Sequence, residues 1–123
     1  MCWILALLFN WSQVGKSFVI LENHSLLGTV QNSILLEWQT ATELDNAGFH
    51  LWRATGEGWK DGDYSTVIRL TDQLIPALGD GSSYFYIDSH VEPGVTYYYA
   101  LEDIDLFGKS TIHWDFINSA RVE

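Results

Sequence analysis

Apolar and polar residues alternate along most of this chain in short runs, which turn-forming residues separate. The segment Ser33–Thr40 places Ile34, Leu36 and Trp38 on one face of an extended strand. Ser17–Glu22 and Leu26–Val30 are candidate pieces of a first strand. The other segments with a strand pattern are Phe49–Arg53, Tyr64–Leu70, Tyr84–Asp88, Tyr97–Asp103 and Ser110–Val122. These make about seven strands, and no helical period competes with them. The pattern therefore predicts an all-β fold, a two-sheet β-sandwich.

The apolar faces of these strands supply the candidate core, and polar stretches rich in glycine separate them. The predicted core residues are Trp38, Phe49, Leu51, Tyr97, Tyr99 and Leu101. Asp45, Asn46 and Gly48 supply turn chemistry between two strands, and Pro93-Gly94 is a strong turn signal. Several glycines and aspartates predict a hairpin-like loop at residues 56–63.

Length, composition and charge limit the class of protein. The chain has 123 residues, 47% of them hydrophobic and 18% charged, which fits one ordered domain. Six Lys and Arg stand against sixteen Asp and Glu, for a formal net charge of −10. Nucleic acids and anionic membranes require a basic surface, so this charge argues against both as partners.

The N-terminal segment, residues 1–15, differs from the predicted domain at residues 16–123. Cys2 is the only cysteine, which excludes an intrachain disulfide and a zinc site built from cysteines. Cys2–Phe9 is an unbroken apolar run of eight residues, too short to span a bilayer. Three interpretations are open: a degenerate signal peptide, an element of the chain's own core, or a segment buried in a neighbouring copy.

Three groups of residues resemble a fibronectin type III domain. They are Leu36–Trp38, Gly48–Arg53 and Val91–Tyr97. In that family a tryptophan of the second strand packs under a tyrosine of the sixth, and a Pro-Gly turn leads into this tyrosine. Trp38 and Tyr97 match these two positions. The resemblance implies that the Tyr97 hydroxyl caps the preceding corner of the chain.

A narrower resemblance is to a bacterial variety of this fold found near the C-termini of exported proteins. It rests on Trp38–Phe49, Tyr97–Asp105 and Gly108–Thr111, and the whole resemblance covers roughly residues 17–123. It implies an immunoglobulin-like β-sandwich and an extracellular or cell-surface location. The family shares no catalytic site, and its members act as spacers, adhesion modules or assembly parts.

The candidate chemistry of the polar residues is sparse. The histidines are His24, His50, His90 and His113, and none has metal-ligand spacing to another. The carboxylates at residues 102, 103 and 105, with Asp88, and a second group at Glu43 and Asp45 are the kind of ligands that Ca²⁺ takes, but the chain has no calcium-loop motif. No nucleophile elbow or inserted loop indicates catalysis. The sequence therefore predicts a non-enzyme without a cofactor, with Ca²⁺ as the one alternative.

Two functions remain in view. The first is a structural module that binds protein, above all copies of itself in a filament, through its N-terminal segment. The residues that would carry this self-association are Trp3, Ile4, Leu5, Leu7, Leu8, Phe9 and Trp11. The alternative is a carbohydrate-binding module of a secreted protein, because flat aromatic rings stack on sugar rings. Its candidate residues are Trp59, Tyr64, Tyr84 and Tyr86.

Overall fold

The computed structural model of the chain describes residues 2–3, 33–113 and 118–121. The two candidate pieces of the predicted first strand, Ser17–Glu22 and Leu26–Val30, and the domain boundary after residue 15 lie outside these ranges. The described residues form an all-β, sandwich-like fold without an α-helix. The strands are β1 (Cys2–Trp3), β2 (Ile34–Gln39), β3 (Thr42–Glu43), β4 (Asn46–Thr55), β5 (Ile68–Arg69), β6 (Ile75–Pro76), β7 (Ser83–Asp88), β8 (Thr96–Asp105), β9 (Ser110–Ile112) and β10 (Asn118–Arg121).

Two sheets carry the core. The larger has six strands in the order β10-β8-β4-β5, with β6 paired to β4 and β9 paired to β8. Its centre is the long antiparallel pair of β4 and β8, in which Leu51 lies opposite Leu101. The smaller sheet is the antiparallel pair of β2 and β7, in which Trp38 lies opposite Tyr84. In addition, β1 pairs with β3.

The core fills the space between these sheets with alternate residues of their strands, as the period of two requires. The six predicted core residues, Trp38, Phe49, Leu51, Tyr97, Tyr99 and Leu101, are all buried. The rings that pack on Trp38 are Tyr84, stacked at 5.3 Å between centroids, and Phe49, edge-on at 5.7 Å. The stacking partner of Trp38 is therefore a residue of β7.

Several predicted boundaries were wrong. Gly48 and Asn46 lie inside β4 and are buried, whereas the sequence pattern assigned them to a turn. Only glycine fits at position 48, because the paired strand β6 approaches so closely that an added β-carbon would lie 2.2 Å from the Ile75 carbonyl oxygen. Of the predicted strand Tyr64–Leu70, only β5 is extended. The last predicted strand is divided between β9 and β10.

The turn before β8 is capped by a tyrosine. The Tyr97 hydroxyl accepts a hydrogen bond of 2.8 Å from the backbone N–H of Glu92, five residues earlier. This is the geometry of a tyrosine corner, which occurs in immunoglobulin-like sandwiches. Between the two residues, Gly94 adopts a φ of 80°, so the Pro93-Gly94 pair forms the turn with no steric cost.

Candidate binding surfaces

One end of the sandwich is built from three turns that are far apart in sequence. We call it the three-loop end, and it comprises residues 40–45, 77–82 and 106–109. The backbone N–H of Leu106 donates to the Asp45 carbonyl at 2.7 Å, and that of Thr40 donates to the Ser82 carbonyl at 3.0 Å. These bonds join the first turn to each of the other two.

Exposed apolar side chains are concentrated at the three-loop end. Leu44, Leu78, Leu106 and Phe107 expose 67, 71, 67 and 84% of their surface, respectively. Four of the seven large hydrophobic residues that are exposed among the described ranges therefore lie on these turns. Sequence reasoning did not select them. The available signal was that leucine and phenylalanine occupy turn positions, where polar residues are usual.

Two carboxylates hold these turns in place, and the first of them, Glu43, is buried. The Glu43 carboxylate accepts hydrogen bonds from the Tyr84 hydroxyl and from the backbone N–H of Gly79. Burial, together with this bond to Glu43, raises the pKa of Tyr84 to about 12, so Tyr84 keeps its proton and remains a donor. On the third turn, Asp105 accepts from the backbone N–H groups of Phe107 at 2.9 Å and Lys109 at 2.8 Å. The apolar side chains thus project from turns of defined geometry.

The N-terminal strand joins the sandwich beside this end. Cys2 lies opposite Glu43 and Trp3 opposite Thr42 in the antiparallel pair of β1 and β3. Of the predicted self-association residues, the structure describes only the backbone of Trp3. The other six, Ile4, Leu5, Leu7, Leu8, Phe9 and Trp11, lie outside the described residues.

A second surface is the outer face of the six-stranded sheet. Trp52 of β4 and Tyr98 of β8 point away from the core there, and a 3₁₀ helix at Gly58–Asp61 brings Trp59 onto Tyr98 with ring centroids 5.7 Å apart. The Lys60 ammonium lies 5.5 Å from the Trp59 ring centroid and 5.8 Å from that of Tyr98. The Tyr98 hydroxyl donates to Glu57 at 2.7 Å.

The predicted carbohydrate-stacking residues do not form one surface. Trp59 and Tyr64 lie on this outer face, where Trp59 is half-buried against Tyr98 and Tyr64 is exposed. Tyr84 was selected wrongly as a surface ring, because it is only 6% exposed and stacks in the core. Tyr86 packs against the core as well, and its hydroxyl donates to the Leu70 carbonyl at 3.2 Å. Trp52, to which sequence reasoning assigned no role, lies on the outer face near Tyr64 instead.

Two histidines of the described ranges bond to different partners. His50 Nδ1 contacts the Thr71 hydroxyl at 2.6 Å, and His113 pairs with Asp103. Burial, with the positive charge of Arg69, lowers the pKa of His50. Within residues 2–3, 33–113 and 118–121, no three His, Cys, Asp or Glu side chains converge as ligands for a metal.

Asp88 is the most buried of these carboxylates, 2% exposed. It accepts two hydrogen bonds from Arg53, at 2.8 and 3.0 Å, and one of 2.7 Å from the Tyr99 hydroxyl. Burial, and then the Asp88 charge, raise the pKa of Tyr99. The Arg53 guanidinium also lies 4.9 Å from the Tyr97 ring centroid. Asp88 thus links the end of β7 to Arg53 and Tyr99 of the larger sheet.

Comparison with known proteins gave no match: no family model, curated protein or solved structure is significantly similar to this chain. Among the residues that the structure describes, no helix has the length and apolar character needed to cross a membrane.

Proposed function

We propose that this chain is a non-catalytic, exported interaction module that associates with copies of itself through the three-loop end. The observation that carries the proposal is the concentration of exposed Leu44, Leu78, Leu106 and Phe107 on turns that hydrogen bonds hold in place. A cluster of exposed apolar side chains is typical of a protein-binding surface. Turns of fixed geometry favour binding, because little conformational freedom is lost on association.

The pairing of β1 with β3 supports a second copy as the occupant. β3 ends at Glu43, directly before Leu44 of the exposed apolar cluster. Strand β1, which pairs with β3, therefore lies next to that cluster. The same backbone pairing can be made by the N-terminal strand of a neighbour, since exchange of an identical element between copies needs no new type of contact. Repeated from one copy to the next without closing, this exchange would produce a filament.

The class and the location belong to the same proposal. The tyrosine corner at Tyr97, the sandwich of antiparallel sheets and the φ of 86° at Gly108 before β9 support a fibronectin type III-like module. Extracellular placement follows from the resemblance to modules of exported bacterial proteins. A non-catalytic role is supported by the carboxylates and histidines of the described residues, many of which bond in structural pairs.

The test measures the mass of the full chain by light scattering, with electron microscopy of negatively stained samples. We expect assemblies that are multiples of the 14.0 kDa chain and expect a variant with Leu106→Asp and Phe107→Asp to be monomeric. Phe85→Asp is the matched control, because Phe85 is 68% exposed on β7 and outside the three-loop end. Both variants keep the far-ultraviolet spectrum of the wild type, since the substituted side chains are mostly exposed.

A wild-type chain that remains monomeric up to about 1 mM would contradict self-association, because a millimolar Kd corresponds to only ~4 kcal/mol. If assemblies persist in the Leu106→Asp, Phe107→Asp variant, the three-loop end is not part of the contact between copies. A variant with Leu5→Asp and Leu7→Asp examines the N-terminal segment in the same assay. We expect it to dissociate too, and its failure to do so would reject strand exchange.

A further inference from the structure

The outer face of the six-stranded sheet contains an open depression of about 290 Å³, lined by Trp52, Tyr64, Val67 and Ile112. The neighbouring cleft, between Trp59 and Tyr98, has only about 10 Å³ of free volume, because those two rings pack against each other. The ligand-accessible part of this face is therefore the Trp52–Tyr64 side. Its volume is near the lower end of the range for small-molecule sites.

Trp52 is held in position before any ligand arrives. Its indole N–H donates to Glu102 Oε1 at 2.9 Å. The other oxygen of Glu102 accepts from the Ser110 hydroxyl on β9. Glu102 is itself only 8% exposed, so its charge and bonds are shielded from water. The Trp52 ring is thus fixed by a buried polar group, which gives a flat and pre-organised platform.

Tyr64 forms the second wall and is open to solvent. It is 55% exposed, at the start of a turn in which the backbone N–H of Val67 donates to the Tyr64 carbonyl at 3.0 Å. Val67, at the other end of this turn, also lines the depression. Two aromatic and two aliphatic side chains therefore form the lining, which offers apolar contact without a charged group.

We propose that this depression binds a neutral glycan of β-1,4-linked glucopyranose units. In such a unit the ring substituents are equatorial, so both ring faces present axial C–H groups that stack on aromatic rings. The chain has a net charge of −10, and Glu57, Asp61 and Asp63 lie on the adjacent loop. This charge disfavours polyanionic glycans such as uronates, whereas a neutral sugar experiences no net repulsion.

The site is distinct from the self-association surface, and neither proposal depends on the other. It involves β4, β9 and the 64–67 turn, whereas the three-loop end involves the turns at residues 40–45, 77–82 and 106–109. The residues that line it also differ from the four carbohydrate-stacking residues that the sequence predicted. Only Tyr64 is common to both sets.

The test is isothermal titration of the full chain with cellohexaose and, as the anionic comparison, with β-1,4-linked hexaglucuronate, which has the same linkage and ring geometry but a carboxylate on each unit. We expect saturable binding of cellohexaose and none of hexaglucuronate. Tyr64→Ala is expected to weaken cellohexaose binding about tenfold, which is the equivalent of ~1.4 kcal/mol. Phe85→Ala removes a ring of similar exposure elsewhere and is expected to leave the affinity unchanged.

Trp52→Phe keeps an aromatic ring but loses the bond to Glu102, so we expect weaker binding in a chain that still folds. The proposal is overturned if cellohexaose does not bind, if hexaglucuronate binds equally well, or if Tyr64→Ala and Phe85→Ala behave alike. It is also overturned if Tyr64→Ala changes the assembly mass, because the face would then be occupied by a second copy.

Discussion

Replacement of Gly48 by alanine tests the close approach of β6 to β4 in the larger sheet. A β-carbon at this position would lie 2.2 Å from the Ile75 carbonyl oxygen and 2.8 Å from Leu74 Cγ. The oxygen belongs to the backbone of β6 and cannot rotate away. Strand β6 must therefore move back by about 1 Å or more to reach ordinary van der Waals contact.

The expected loss of stability follows from this movement of β6. Overpacking of this kind costs about 1–3 kcal/mol. The displacement also weakens the hydrogen bond from the Ala77 N–H to the Ala47 carbonyl, next to the paired Gly48 and Pro76, at a cost of about 1 kcal/mol. We expect Gly48→Ala to lower the free energy of unfolding by about 2–4 kcal/mol, measured by urea denaturation followed through tryptophan fluorescence.

Gly56→Ala provides the matched control. Its φ is 73°, but no atom lies within 4 Å of the β-carbon position. The loss of stability in Gly56→Ala should therefore be limited to backbone strain of about 1–2 kcal/mol. If Gly48→Ala is no more destabilising than Gly56→Ala, or lowers stability by under ~1 kcal/mol, β6 does not approach β4 as described and the reasoning is refuted.

Two further predictions concern buried ionisable groups. Asp88→Ala leaves the half-buried Arg53 without its carboxylate partner and is expected to lower stability by about 3 kcal/mol in urea denaturation. Lys60→Ala, which breaks an exposed pair with Glu57, is expected to have a much smaller effect. Equal effects of the two variants would contradict the burial of the Asp88 pair. Folding lowers the pKa of His50 from its ordinary 6.5, so the unfolded chain binds more protons just below that pH. The stability that neutral His50 contributes is complete above pH 6.5 and is lost as the pH falls through its lowered pKa. His50→Asn should flatten this dependence, and an unchanged pH profile in the variant would exclude His50 as its source.

The alternation of apolar residues determined which side chains enter the core. Because successive side chains of a strand point to opposite faces, Trp38, Phe49, Leu51, Tyr99 and Leu101 are necessarily on the face that two sheets can cover. The tyrosine that follows the Pro93-Gly94 turn was likewise identifiable from local residues, because its bond spans only five positions. Local spacing is sufficient for features of this kind.

The binding surfaces depended on the tertiary structure. Leu44, Leu78 and Leu106 are separated by about thirty residues each, and strand order alone brings their turns to one end. Tyr84 and Tyr64 have similar sequence surroundings, yet Tyr84 faces the core because its strand pairs with β2 in a register that stacks it on Trp38. The orientation of the Trp52 ring likewise depends on a distant residue, because its indole N–H donates to Glu102 of β8. Pattern determines the face of each strand, whereas the pairing of distant strands decides which faces meet and which remain open to a ligand.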